Sequence, residues 1–410
     1  MTFEVGRVRI DELRLAGFRA FENARLALDD LTILVGRNGS GKSTIIDALE
    51  LLRDALSDSL ENALERRGGL APLLHKPAGP KGELSIAVKL RLSADYLSKV
   101  AEDSGLDLQL PGSRSHAEVR YGFRLGLRRG GSGFAVKGES VRIGIDSLFD
   151  EFHRDARKEE KGAPWARDAL ALPQLAQGTL VYRAVFDALR DGVRAYDFSP
   201  SDIRAEPPIG RASILLRDGS NVGDVLRHLE NDKDDLAWLI KHLGAITPGL
   251  VGVKSGVAAG RRLVRFFQRA GTSEARFDIG DMSDGTLRCL AILLALRQRP
   301  APAIVCIDEI EDSVHPAALG VLLDAVGAAT DYCQVLLTSH SPEALAHPNV
   351  TARRVRVVEW RDGCSDVFRL SPGAAEMSRP PRSVGKLLRA NALFTAERPE
   401  RVEGDFFEVA

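Results

Sequence analysis

The chain is poor in the residues that mark several large protein classes. Cysteine is scarce: Cys289, Cys306, Cys333 and Cys364 are the four in 410 residues, with no C-x-x-C spacing and no clustered histidines. That pattern excludes a disulfide scaffold and argues against a thiolate metal centre, leaving the thiols as reduced packing residues. Cys306 and Cys333 lie in apolar, strand-like runs, which suits buried thiols. No apolar run approaches the roughly 18 residues of a membrane-spanning helix, and the N-terminus has no apolar signal region. A cytoplasmic, soluble chain without membrane contact is therefore expected. Excess charge of one sign is also missing, with 56 basic residues against 57 acidic ones and a net charge of −1. No overall field draws the chain to nucleic acid or membrane, although a local basic surface stays open. Sustained apolar heptads are absent, which excludes a long coiled-coil arm.

What the chain does have is LTILVGRNGSGKST at residues 31–44, an apolar run ending in a glycine-rich loop. Gly36, Gly41, Lys42 and Ser43 satisfy G-x-x-x-x-G-K-[ST], the phosphate-binding P-loop. Glycines let the backbone wrap an anion, so the N–H groups of Asn38, Gly39, Ser40, Gly41, Lys42 and Ser43 can converge on it, with Thr44 following. Lys42 would reach the β- and γ-phosphates and the Ser43 hydroxyl would ligate Mg2+. The helix that follows adds the positive end of its dipole. The site takes a nucleotide, but the loop alone does not separate a kinase or GTPase from a dimeric switch.

Two strand patterns, 7–15 and 24–28, precede the P-loop strand at 31–35. Beyond the P-loop helix and a Pro/Gly-rich stretch at 72–82, three alternating segments (83–92, 117–127 and 133–145) read as an antiparallel sheet. Residues 165–190 read as helical. Residues 222–244 carry the spacing of one amphipathic helix, and 261–269 and 275–279 read as strands. Ser283-Asp284-Gly285 then opens an apolar helix through 289–296. It offers a hydroxyl, free N–H groups and a dipole end, a second phosphate device, although such a motif by itself is more often a helix cap. The apolar strand at 303–307 presents Asp308 and Glu309 at its carboxyl end, where parallel sheets place their ligand groups. Asp308 fits the metal-linked carboxylate that partners Ser43, and Glu309 fits a general base for water. The strand at 334–337 ends near His340, placed to meet the γ-phosphate or to position water. His315 falls on the loop after Glu309, where it can face a neighbouring subunit.

This order of motifs resembles the ABC-type ATPases, and within them the RecF/SMC/OLD-like group of AAA-type ATPases. The residues that carry the resemblance are GFRAF (17–21), GRNGSGKST (36–44), MSDGTLR (282–288), IDEIEDSVHP (307–316) and LLTSHSP (336–342), with LRDGSN (216–221) similar to a segment of stand-alone members. The resemblance spans residues 7–370. It implies an α/β P-loop NTPase head with a mixed or parallel core sheet, an antiparallel β subdomain and an inserted helical subdomain. It also implies a homodimer of heads sandwiching two ATP–Mg2+, each P-loop completed by Ser283 and Gly285 of the other copy. In that scheme Glu309 activates water and His340 senses the γ-phosphate.

Two departures stand out. Ile310 follows the catalytic glutamate where the family usually has proline, and no glutamine stands where the Q-loop Mg2+ ligand is expected, near residues 74–79. Slow hydrolysis is the expectation. The expected organisation is an N-terminal ATPase lobe (1–150), a mainly helical insertion (151–260), a C-terminal lobe with signature, Walker B and His switch (261–375), and a tail (376–410). Seventy residues follow His340, without the acidic strand ends of a Toprim nuclease, so that domain is expected to be absent. The tail reads either as a docking segment for a separate effector or as a plain terminal helix. The expected function is an ATPase whose dimerisation cycle drives DNA-related work, with DNA implied by the resemblance alone. The alternative is a regulatory or scaffold subunit of an antiphage or toxin-like system, acting with a separate effector such as a nuclease.

Overall fold

The computed structural model describes residues 8–77, 82–105, 116–128, 133–145, 148–155, 165–379 and 382–402. The chain divides into two compact units. The first comprises residues 1–193, 355–372 and 394–410, and the second 194–354 and 373–393.

The first unit opens with β1 (Val8–Phe18), β2 (Phe21–Ala27) and β3 (Leu31–Val35), then α1 (Lys42–Ser57) and α2 (Leu60–Glu65). It continues through β4 (Glu83–Ser93), α3 (Ala94–Asp103), β5 (His116–Leu127), β6 (Phe134–Ile145), β7 (Leu148–Asp155), α4 (Leu172–Gly178) and α5 (Leu180–Gly192). The alternation read from the sequence is realised as an antiparallel sheet ordered β2-β1-β4-β5-β6-β7. Ile10, Leu13 and Leu15 of β1 and Leu84, Ile86, Val88 and Leu90 of β4 are buried. Strand β3 is buried at all five positions, as expected for a strand covered on both faces. The helix expected over 165–190 begins only at Leu172 and is interrupted at Thr179, the residue between α4 and α5.

The second unit runs from β8 (Val193–Tyr196), at whose first residue the first unit ends, through α6 (Pro200–Ile203), α7 (Val222–Leu229) and α8 (Lys233–Ile246). Next come β9 (Leu250–Ala258), β10 (Arg261–Ala270), β11 (Ser273–Asp278), α9 (Asp284–Arg297), β12 (Ile304–Ile307), α10 (Pro316–Ala329), β13 (Gln334–Ser339) and α11 (Pro342–Leu345). The single helix expected over 222–244 is instead two. Asp232 accepts from the N–H groups of Asp234 and Asp235 at 3.0 and 3.1 Å, and this side-chain cap starts a new helix in the middle of the periodic pattern. Strand β9 is an addition to the expected elements: Gly252 and Gly256 interrupt its apolar signal. Helix α9 is buried from Thr286 through Leu296, the central helix of its unit. Strands β12 and β13 pair in parallel, Ile307 opposite Leu337, so their carboxyl ends lie side by side.

The chain then returns to the first unit. β14 (Val355–Arg361) pairs in parallel with β3, and β15 (Cys364–Phe368) antiparallel with β14. Arg356 on β14 is buried, donates to the Ala27 carbonyl and Asp29, and its pKa is lowered by burial. After α12 (Pro372–Met377) and α13 (Val384–Arg389), the tail forms a strap on the first unit. Glu400 N–H donates to the Val367 carbonyl while its own carbonyl accepts from Arg25 N–H, and Val402 N–H donates to Asn23. The tail to Val402 is thus part of the fold. Residues 403–410 lie outside the described residues. No helix among the described residues is long and apolar enough to cross a membrane.

Candidate functional site

The P-loop belongs to the first unit and follows directly from β3. Gly36 has no room for a side chain, because a Cβ there would stand 2.2 Å from the Val358 carbonyl of β14. Gly39 and Gly41 have φ of +77° and +101°, left-handed conformations that glycine adopts at little cost. Lys42 is buried, and its ammonium donates to the carbonyls of Gly36 and Arg37 at 2.9 and 3.0 Å, so the loop closes around a positive charge. The Ser40 hydroxyl is buried without a hydrogen-bond partner. Gly41 precedes helix α1 as its N-cap residue, with no side-chain cap and no acid in the first turn, which leaves the terminal N–H groups and dipole uncompensated. Ser43 is exposed and Thr44 half-buried. An orphaned hydroxyl, an uncapped helix end and an encircled ammonium fit a bound phosphate chain.

Behind the loop, Asp47 on α1 is paired with Arg19 of the GFRAF turn and with Arg67, both at 2.8 Å. Burial alone would lower the Arg67 pKa. Asp47 and Asp54 outweigh it and hold the guanidinium above its usual range. His75, in the stretch expected to replace the Q-loop, is buried with Nδ1 2.7 Å from the Arg19 carbonyl. Residues 78 and 79 of that stretch lie outside the described residues.

The carboxylates belong to the second unit. Asp308 and Glu309 follow β12 and are half-buried. Glu309 has a φ of +46°, a left-handed conformation that costs a non-glycine residue on the order of 1–3 kcal/mol. Two side chains hold it there. Thr338 on β13 donates its hydroxyl proton to Asp308 Oδ1 and accepts from Glu309 N–H at 2.7 Å. Arg288, buried on α9, donates to the carbonyls of Phe198, Asp308 and Glu309 at 2.7, 3.0 and 2.9 Å. One guanidinium thus ties the helix carrying the Ser-x-Gly motif to the main chain of the carboxylate pair. His340 lies just past β13, its backbone N–H and ring held by Glu311.

Ser283 caps α9: its hydroxyl accepts from Thr286 N–H at 3.3 Å and lies 2.9 Å from the Thr286 hydroxyl. Ser283 and Asp284 remain exposed. Gly285 approaches the Ser313 carbonyl so closely that a Cβ would stand 2.7 Å from it. His315 caps α10, its Nδ1 accepting from Ala317 N–H at 3.2 Å. Cys289, one turn further along α9, is buried, and burial pushes its thiol up to about 12; Cys333 behaves alike. The structure thus gathers the P-loop residues in one unit, and Asp308, Glu309, His340, Ser283 and Gly285 in the other.

Residues 9–92 match the family described as "AAA ATPase domain", and residues 149–346 match "AAA domain, putative AbiEii toxin, Type IV TA system". A 116-residue segment, 28% of the chain, is 35% identical to the DNA replication and repair protein RecF of Thermomicrobium roseum and spans 27% of that protein's length. An SMC head solved bound to the C-winged helix domain of ScpA superimposes with a TM-score of 0.53 at 16% identity, over 90% of this chain and 99% of that one. A second, an SMC head with an extended coiled coil bound to the C-terminal domain of ScpA, derived from Pyrococcus furiosus, gives 0.51 at 15% identity over 90% and 98%. By sequence, two segments of the chain are thus similar to AAA-type ATPase domains and one to RecF. The fold of the chain is that of an ABC-type head.

Three side chains of this ABC-type head were not singled out from the sequence. Arg288, Thr338 and Glu311 all fall inside the motifs quoted for the resemblance, but each acts on the main chain of a distant residue. Position in a motif marks them, whereas only tertiary pairing shows what they hold.

Proposed function

We propose that the chain binds ATP–Mg2+ and hydrolyses it as a homodimer of heads, coupling the cycle to DNA-related work such as repair or genome maintenance. Lys42 and the amides of Asn38 to Ser43 hold the phosphates, Thr44 adjoins them, and Ser43 and Asp308 hold the metal. Mg2+ bound there would neutralise charge on the β- and γ-phosphates. Glu309 accepts the proton of the attacking water, and His340 sits at the γ-phosphate end. The observation that carries the catalytic reading is the strained main chain of Glu309, held by Thr338 and Arg288; strain of that kind collects at functional sites.

The dimer reading rests on the exposed N-terminus of α9. The chain has one P-loop and one such helix, and the family scheme completes each P-loop with the helix of the other copy. Mixing Lys42→Ala chains with Ser283→Arg chains tests it. Each variant is inactive alone, and the mixed dimer holds one site with both parts intact, so turnover returns on mixing. Absence of recovery between two folded variants contradicts the shared site.

DNA binding is supported by one face of the β9–β11 sheet. The register places Lys254 beside Arg265 and Phe267 beside Arg276, with Arg261 and Arg269 further along the same face. Lys254 lies over the Phe267 ring at 5.7 Å. Asp278, ion-paired with Arg265, and Glu274 share the face, but its five cations outnumber them, and cations interleaved with an aromatic ring suit a phosphate backbone. Replacing Lys254, Arg269 and Arg276 by glutamate should weaken DNA binding and flatten its salt dependence, by a slope of about 0.9 for each duplex phosphate no longer neutralised. Filter binding across a salt series measures this, and an unchanged slope removes the face from the reading.

The match over 149–346 favours a second reading, a scaffold ATPase subunit of an antiphage or toxin-like system with a separate effector such as a nuclease. On that reading cells carrying the gene with its neighbours resist phage, and Lys42→Ala abolishes the resistance in a plating assay.

A further inference from the structure

Glu311 is not among the residues that the ATPase reading uses, yet three donors converge on one of its oxygens. Its Oε1 accepts from the backbone N–H groups of His340 and Ser341 at 2.6 and 3.0 Å, and lies 3.0 Å from His340 Nδ1. The carboxylate is 11% exposed, whereas the His340 side chain is 51% exposed, so the ring is pinned from within and open on its far side. A neutral imidazole carries one N–H, and the nitrogen facing a carboxylate oxygen is the one that carries it. With the proton on Nδ1, Nε2 keeps a bare lone pair. An acceptor at Nε2 cannot donate to a phosphate oxygen, but it can accept from water.

We propose that Glu311 is the positioning residue that makes neutral His340 a hydrogen-bond acceptor, so that Nε2 orients the attacking water instead of donating to the γ-phosphate. This rests on the ATPase reading above. The water then has an acceptor for each O–H: the Glu309 carboxylate for one and His340 Nε2 for the other, which turns an oxygen lone pair toward phosphorus. As the new O–P bond forms and the bond to the ADP oxygen breaks, the proton passes to Glu309. His340 retains its proton on Nδ1 throughout. The parallel pairing of β12 with β13 makes this arrangement reachable, since Glu309 and His340 follow the adjacent carboxyl ends of those strands.

The test uses the full chain with 15N-labelled histidine, at a pH where the ring is neutral, with the His340 resonances assigned by their loss in His340→Gln. The wild type should show the Nδ1–H tautomer. Glu311→Gln, whose amide oxygen still accepts, should retain it, and Glu311→Ala should shift it toward Nε2–H. In steady-state assays Glu311→Ala should lower kcat by about 10–100-fold, in the range found when partners that orient active-site ligands are lost, with KM for ATP little changed. It should cost nothing further in a His340→Ala background. An Nε2–H tautomer in the wild type, or a Glu311→Ala effect of equal size with and without His340, overturns the proposal. If Glu311→Ala does not fold, the wild-type and Glu311→Gln spectra still decide it. Should the wild type show no turnover, the ATPase reading fails, while the tautomer still settles what Glu311 does to the ring.

Discussion

Glu309→Gln is expected to lower ATP turnover by about 100- to 10,000-fold, the range a positioned general base supplies, while ATP affinity stays within a few-fold of wild type. The amide preserves size and most hydrogen-bonding geometry but cannot take a proton, so the loss falls on kcat. If the heads sandwich ATP, the variant should also accumulate as an ATP–Mg2+-dependent dimer, because separation waits on hydrolysis. Turnover by colorimetric phosphate release and mass by sedimentation read the two outcomes separately. A variant that remains monomeric at saturating ATP–Mg2+ would falsify the dimer. Glu309→Gly separates chemistry from strain, since glycine takes a φ of +46° freely. Stability should be held or raised there, although activity disappears.

The second large effect is expected at Arg288. Replacement by Met keeps much of the buried stem but removes the fork that donates to three carbonyls, those of Phe198, Asp308 and Glu309. The Glu309 carbonyl keeps the Asp312 N–H, but the Phe198 and Asp308 carbonyls lose their donor at on the order of 1–3 kcal/mol each, so a loss of about 2 kcal/mol or more in unfolding free energy follows. Turnover should fall as well, because the main chain of Glu309 loses one of the two side chains that hold it. Arg288→Lys should recover little, since an ammonium on a flexible stem does not span three acceptors as a planar guanidinium does. Urea melts of the three proteins rank the effect. Wild-type stability in Arg288→Met would mean the fork is dispensable.

Much of this architecture is legible in the sequence because it is local. Period-two alternation placed β1, β4, β5 and β6. The P-loop needed Gly39 and Gly41 for left-handed backbone contained within nine residues, whereas Gly36 answers to the Val358 carbonyl of β14. The carboxylates at 308–309 follow from an apolar strand that must end somewhere useful. Where local signals misled, a neighbour in space or a short cap decided. Asp232 split one periodic stretch into two helices, and β9 became a strand by pairing with β10 despite its glycines.

The tail shows the same boundary. Nothing in residues 394–402 announces a strap, since its hydrogen bonds go to Asn23, Arg25 and Val367, remote in sequence. By itself the sequence determined that this chain carries a phosphate loop, a paired carboxylate and a capped Ser-x-Gly helix, because each depends on residues within one turn or one strand end. The tertiary structure alone decided that Arg288 and Thr338 hold Glu309 in a left-handed conformation and that Glu311 pins His340. Those pairings join residues 21 to 29 positions apart, and only the folded chain brings them within hydrogen-bonding distance.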